Sequence, residues 1–363
     1  MTSIVCLSCD PWQSIPTRTQ QLMTRLRGAE VLFFEPAADK DSREHKKPGR
    51  KVRPQVTVYT LPPISAAAER NRFFFRRGYR RQGDYIQSVL EKRRIKEPLL
   101  WCTSPKHIHL LDFLAYRGLV YDCDRYWTGL PMEWESDLAL NSDVIFAASG
   151  GLVDRLSPCC DNIALVPNGC NYPMFTRSDL EVPHDLEGVG HPLLGYVGTL
   201  WSDLDYSPIF ACAAAHPDWN FLLLGRQQKS EGLRRLREMK RVILADRHPL
   251  IEVPDYVSQC DVCLDLRRTG VAGNDVVSTR VYEYMAAGKP VVRHTFPGQM
   301  DDFPGMDYTA DDTTGFVIAC EEALRDDGPW LRGRRRDNAE YAAWDQRAEE
   351  VEQILEANAI YGG

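Results

Sequence analysis

Several things are scarce in this chain of 363 residues, and each scarcity narrows the field. Nowhere do about 18 apolar residues run together, so no transmembrane helix is expected. The N-terminus shows no basic stretch leading into a long apolar one, so no secretory signal is expected and the reading is cytoplasmic. Basic residues are outnumbered: 44 Lys and Arg against 51 Asp and Glu give a formal charge of −7, which argues against a nucleic-acid partner. No G-x-G-x-x-G follows an early strand, which disfavours a hydride-transferring dinucleotide enzyme. Eleven cysteines are present, an odd number. Cys6-Leu7-Ser8-Cys9 has CxxC spacing, but no His-x-x-x-His partner accompanies it, so reduced, buried thiols are expected rather than a zinc site.

What is present is an ordinary globular composition, 44% hydrophobic and 26% charged, in a chain long enough for two domains. Short apolar runs alternate with amphipathic stretches, the pattern of parallel strands joined by helices. Strands are expected at 3–8, 30–35, 99–102, 119–123, 144–148 and 163–166 in the first half. In the second they are expected at 193–197, 220–224, 251–253, 262–266 and 290–293. Helical periodicity fits 17–27, 83–94 and 106–116; the charged stretch 39–53 reads as an exposed loop. The acidic, turn-rich segment 175–192 reads as a linker. Two α/β units of this kind would bind ligand at the C-terminal ends of their strands.

The most informative stretch runs from Arg268 to Val292. A loop bearing Gly270, Gly273 and Asn274 leads into a helix pattern over Thr279–Ala287 that Gly288 and Pro290 stop. Loop glycines let backbone N–H groups approach an anion, and a helix start favours negative charge. Arg280 suits a phosphate; Glu283 suits two vicinal ribose hydroxyls. A surface helix with a solvated glutamate is the plainer reading.

The phrase from Tyr282 to Val292, YEYMAAGKPVV, resembles the GT-B glycosyltransferases, and within them the retaining group called family 4. That group carries two acidic residues separated by seven others; here they fall on Asp275 and Glu283. Weaker likenesses follow in the same order: Asp143–Ser149, Val166-Pro167-Asn168-Gly169, Gly195-Tyr196-Val197-Gly198, Pro254–Val262, and Trp344-Asp345-Gln346-Arg347.

The resemblance implies two Rossmann-like domains with parallel sheets facing across a cleft, and a C-terminal helix crossing back to the first. Residues 1–175, completed by about 340–363, would bind the acceptor; 190–339 would bind the nucleotide sugar. It implies a metal-independent, hexosyltransferase-like enzyme of cell-surface polysaccharide synthesis, with UDP- or GDP-linked sugar as substrate and no cofactor. Donor contacts would come from Gly198, Thr199, Arg226, Gly273, Asn274, Asp275, Ser278, Thr279, Arg280 and Glu283. Asp275 would sit near the donor sugar.

Two departures stand out. The family's Arg and Lys after the Gly198 glycine are missing, which leaves Arg226 and Arg280 as the nearest cations for the leaving diphosphate, with Lys229 and Arg268 behind them. The N-terminal glycine-rich loop is replaced by 10–18, with Asp10, Trp12 and Arg18 as acceptor contacts. Asp122 or Asp124, ending a first-half strand, would take the acceptor hydroxyl's proton or orient it, although a capping role fits equally. Asp122-Cys123-Asp124 spells DxD but lies in the wrong half for a donor metal. His107 and His109 are expected to be structural. Arg70–Arg81, six arginines with Phe73, Phe74, Phe75 and Tyr79, suits an anionic membrane face and a lipid-linked acceptor, or else a basic loop. The tract 332–336 reads as solvated charge. A nucleotide-sugar epimerase on the same fold, or an inactive nucleotide-sugar-binding protein, are the competing readings.

Overall fold

The computed structural model describes residues 2–39, 41–64, 72–268, 270–271, 273, 275–295 and 307–362, without the side chains of 72–74. The chain divides into two compact units, Met1–Pro167 with Asp345–Gly363, and Asn168–Trp344.

The first unit is built on an eight-stranded sheet. In chain order its strands are β1 (Thr2–Leu7), β2 (Ala29–Glu35), β3 (Arg50–Arg53), β4 (Val56–Thr60), β5 (Leu99–Cys102), β6 (Gly118–Cys123), β7 (Val144–Ala147) and β8 (Ile163–Leu165). Their order across the sheet is β3-β4-β2-β1-β5-β6-β7-β8. All neighbours pair in parallel except β3, which runs antiparallel to β4 with a register shift between Lys51 and Arg53. β1, β2, β5, β6 and β7 are apolar runs buried on both faces, as parallel strands covered by helices must be. The C-terminal segment returns to this unit: Arg25 meets Asp345 at 3.1 Å, and the Gly362 N–H reaches Thr2 Oγ1 at 3.2 Å.

The second unit carries β9 (Leu193–Val197), β10 (Asn220–Leu224), β11 (Val242–Ala245), β12 (Val262–Asp265), β13 (Val291–His294) and β14 (Asp307–Ala310). Their order is β11-β10-β9-β12-β13-β14, all parallel, which is the Rossmann order with its reversal between β9 and β12. Alternation along β10 feeds two cores. Phe221 and Leu223 join one face with Phe316 and Ala319, and Leu222 and Leu224 join the other with Val281, Tyr282 and Met285.

Several expected elements differ. The stretch 39–53 holds β3, and β4 was not expected at all. Residues 251–253 are helical, a turn at Leu250–Glu252 running into the helix Val253–Gln259, because Pro254 occupies a first-turn position where its missing N–H costs nothing. The helix expected over 17–27 ends at Met23, where Thr24 turns its hydroxyl onto the Gln20 carbonyl at 2.8 Å. The helix expected over 83–94 begins already at Arg72, so the described part of Arg70–Arg81 is helical, not a loop. Within 332–336, Arg335 is fully buried and donates to the Gly288 carbonyl at 3.2 Å; that tract is not wholly solvated.

Candidate functional site

In the second unit the helix Thr279–Ala286 follows from its caps. Ser278 takes the Arg280 N–H on its hydroxyl at 3.3 Å, and Gly288, at φ +78°, supplies the left-handed residue that ends it. Its three-residue spacing brings Arg280 onto Glu283, and the guanidinium donates to the carboxylate. Burial pushes the Glu283 carboxyl above its ordinary value, and Arg280 opposes that shift. Tyr284, one position on, accepts the Val197 N–H at 2.8 Å and so pins the helix to the end of β9. Asn168, of the Asn168-Gly169 turn, donates to the Val277 carbonyl at 2.9 Å and fixes the approach to Ser278.

The loops around this helix start are also held. Arg267 forks onto Asp265 with contacts of 2.6 to 3.0 Å and donates to the Val276 carbonyl at 2.8 Å. It thereby ties the end of β12 to the loop before the helix. Gly198 and Gly225 end β9 and β10 side by side: a Cβ on Gly225 would stand 2.0 Å from the Gly198 carbonyl oxygen. Thr199 accepts the Tyr196 hydroxyl on its carbonyl at 3.4 Å, and Gly273 accepts the Val276 N–H at 3.2 Å. Thr279 and Asp275 are half-buried; Asn274 lies outside the described residues. Arg226 is exposed, over the Trp201 ring at 5.6 Å, and lines an open hollow of about 650 Å³ with Arg237 and Arg247. None of the residues around Arg280 and Glu283 belongs to that hollow.

In the first unit Arg18 stands at the start of the helix Arg18–Met23, whose N-cap Thr17 forms a reciprocal capping box with Gln20. Its Nε meets Asp122, at the end of β6, at 2.9 Å, and its Nη1 donates to the Pro167 carbonyl at 3.1 Å. Burial drives the Asp122 carboxyl above its ordinary value despite Arg18. Its second oxygen is buried with no hydrogen-bond partner among the described residues. Arg125 bridges Asp124 at 2.7 Å and Asp10 at 3.0 Å, joining the ends of β6 and β1. Trp12 packs edge-on against Phe33, and its backbone N–H donates to Glu35 at 2.8 Å. The structure thus gathers Asp10 with Asp124, and Arg18 with Asp122. Beside them, at the reversal between β1 and β5, lies a cavity of about 630 Å³ reached by Ser8, Cys9, Ser104 and His107.

Comparisons with known proteins come down on one architecture. No family model matches the chain. Over 276 residues it is 25% identical to the Bacillus subtilis (strain 168) protein called "Putative teichuronic acid biosynthesis glycosyltransferase TuaH", covering 68% of each chain. Among solved structures, sucrose-phosphate synthase from Thermosynechococcus elongatus matches with a TM-score of 0.76 at 16% identity, over 98% of this chain and 99% of that one. A structure described as trehalose-6-phosphate from Escherichia coli bound with UDP-2-fluoro glucose matches with a TM-score of 0.75 at 12% identity, over 99% and 100%. Anabaena HepE in complex with UDP matches with a TM-score of 0.72 at 13% identity, over 98% and 100%. This chain has the GT-B fold.

Within that GT-B frame, some residues that shape the site escaped the sequence reading. Arg267 and Asp265 were passed over in favour of Arg268, because nothing in the spacing says which of two adjacent arginines turns back onto its own strand. Arg125 was passed over beside the two aspartates it bridges. The pair Cys260-Asp261-Val262-Cys263 is a second CxxC; both thiols are buried and free, as are Cys6 and Cys102, while Cys9 is half-buried. Among the described residues no cluster of three metal-ligating side chains forms. No described helix is long and apolar enough to cross a membrane. His107 accepts the Thr103 N–H on Nδ1 at 3.2 Å, and His109 packs edge-on against Phe75 and Trp134 and at a tilt against Tyr79.

Proposed function

We propose that this GT-B protein is a glycosyltransferase that moves a sugar, with retention of anomeric configuration, from a UDP- or GDP-linked donor to an acceptor hydroxyl. The acceptor is a glycan or a lipid-linked saccharide of cell-surface polysaccharide synthesis, met at the inner face of the membrane, with no metal taking part. The single observation behind this reading is the Arg280–Glu283 pair at a capped helix start beside β9 and β12. The positive end of that helix and the Arg280 guanidinium suit a diphosphate, and Glu283 suits the ribose hydroxyls. When the bond from the anomeric carbon to the diphosphate oxygen breaks, negative charge grows on the diphosphate, and fixed donors stabilise it there. Asp275 would contact the donor sugar. The relationship to a protein named for teichuronic acid biosynthesis supports the polysaccharide setting. In the first unit we assign Asp122 to holding Arg18, since it offers no oxygen to solvent, and leave acceptor orientation to Asp10 and Asp124 through Arg125.

Thermal-shift measurement with UDP-, GDP- and dTDP-sugars tests the reading. A ligand bound only by the folded state must raise the apparent melting temperature. One donor nucleotide should do so, and Glu283→Ala should abolish the shift. No shift with any of them, or an unchanged shift in the variant, removes the donor-site assignment. Product analysis by NMR then separates transfer, which yields a new glycosidic bond, from epimerisation, which yields an isomeric nucleotide sugar without an acceptor.

A further inference from the structure

In the second unit the helix Pro329–Tyr341 has two faces of different character. Arg335 and Ala339 turn inward, and Arg335 pins that side by donating to the Gly288 carbonyl at 3.2 Å and to Asp327 at 2.5 Å. The other side carries Trp330, 69% exposed, and Tyr341, 79% exposed, the two most exposed large hydrophobic side chains among the described residues. At about 100° per residue, positions 330, 334, 337 and 341 fall within one narrow arc. Trp330, Arg334, Asp337 and Tyr341 therefore form a single outward stripe about 16 Å long. Apolar rings scattered singly over a surface are ordinary, but two on one rigid stripe mark a contact.

The stripe is its own complement. Trp330 and Tyr341 share their midpoint along the helix with Arg334 and Asp337. A second copy laid antiparallel on the first thus brings its Tyr341 level with Trp330 and its Asp337 level with Arg334, and each pairing occurs twice. A parallel arrangement would oppose Arg334 to Arg334 and Asp337 to Asp337. Arg334 and Asp337 are exposed and stand in no ion pair among the described residues. Three residues apart, they could pair within the helix, yet the guanidinium lies over the Trp330 ring, 5.1 Å from its centre. Across a two-fold axis the carboxylate gains a cation and the rings leave water. A glycan could stack on the rings, but it would draw nothing from charges placed in mirror order.

We infer that two copies of this chain associate through the stripe as an antiparallel, two-fold helix pair. One helix face buries less than the roughly 1,600 Å² of a standard interface, so the dimer is weak, in the micromolar range. It does not depend on the glycosyl-transfer reading and stands even if no nucleotide sugar binds.

Sedimentation velocity of the full chain from about 1 to about 200 μM tests it. Monomer should give way to dimer and to nothing larger, because a two-fold contact closes on itself. Asp337→Arg sets guanidinium against guanidinium twice and should weaken association at least about tenfold. Arg334→Asp should do the same by opposing carboxylates. The two exchanges combined should return the dissociation constant to within about threefold of the parent's. Trp330→Ala should leave a monomer throughout the range, and thermal unfolding curves matching the parent's check that each variant is folded. A parent chain that stays monomeric, a dimer untouched by Asp337→Arg, or a combined exchange that fails to restore it overturns the inference. A monomeric parent whose tryptophan emission shifts with maltoheptaose, an effect lost in Trp330→Ala, overturns it too and gives the stripe to a glycan.

Discussion

Arg18 and Asp122 in the first unit face each other with side-chain exposures of 3% and 1%; Arg280 and Glu283 in the second stand at 20% and 7%. Both are acid–arginine pairs at a helix start beside a strand end. The first is sealed: one Asp122 oxygen and one Arg18 nitrogen are buried without partners among the described residues, and the pair joins chain segments 104 residues apart. The second is local, three residues along one helix, and keeps part of its cation in reach of solvent. A sealed pair serves the fold, whereas a pair with an open side can exchange a protein partner for a ligand. Sequence spacing announces only the local kind.

The sharpest way to break this comparison is to remove each carboxylate. Asp122→Ala strands a buried guanidinium and should cost about 3–5 kcal/mol in urea unfolding, whereas joint Arg18→Met and Asp122→Leu replacement should restore most of it. Glu283→Ala should cost less, about 1–3 kcal/mol, while erasing donor binding. Equal losses at the two sites would show that the exposures do not distinguish them.

Next in size is backbone approach. Gly225→Ala must push its methyl into the Gly198 carbonyl and should cost roughly 2–3 kcal/mol. Gly28→Ala has open space at φ +66° and should cost only about 1–2 kcal/mol, from the left-handed backbone alone. Denaturant midpoints of the two variants check the order.

Acid titration sharpens the picture of the first unit. A histidine whose folded pKa lies near 3 against an ordinary 6.5 binds its proton more readily when unfolded. Its contribution to stability is therefore whole above about pH 6.5 and is lost as pH falls toward 3, at up to roughly 1.4 kcal/mol per unit. His107→Phe should flatten that part of the stability curve; an unchanged slope would mean the ring is not neutral in the fold. The smallest effect is at the caps. Ser278→Ala and Ser149→Ala should each cost about 1 kcal/mol, but only Ser278→Ala should also weaken the donor-induced thermal shift.

Much of this fold was legible because parallel strands advertise themselves: β5, β9 and β10 have the residue bounds that apolar runs suggest. β4, VTVYT, was missed because a short run after a charged stretch resembles a loop margin. Residues 251–253 misled because three apolar-rich positions fit a strand or a helix, and prolines on both sides decided it. In the candidate site, the helix, its cap and the Arg280–Glu283 spacing were readable locally. The partners of Asp122, Asp10 and Asp265 were not, since their contacts depend on which strand ends meet or on how one guanidinium turns.

The outermost strand of the larger sheet, β3, spans only four residues, three of them Arg50, Lys51 and Arg53, and its ladder to β4 slips. Another copy offering a strand there would have to bring like charges together on an irregular edge. The sheet thus stops at β3, and concentrated protein is spared one route to open-ended polymers.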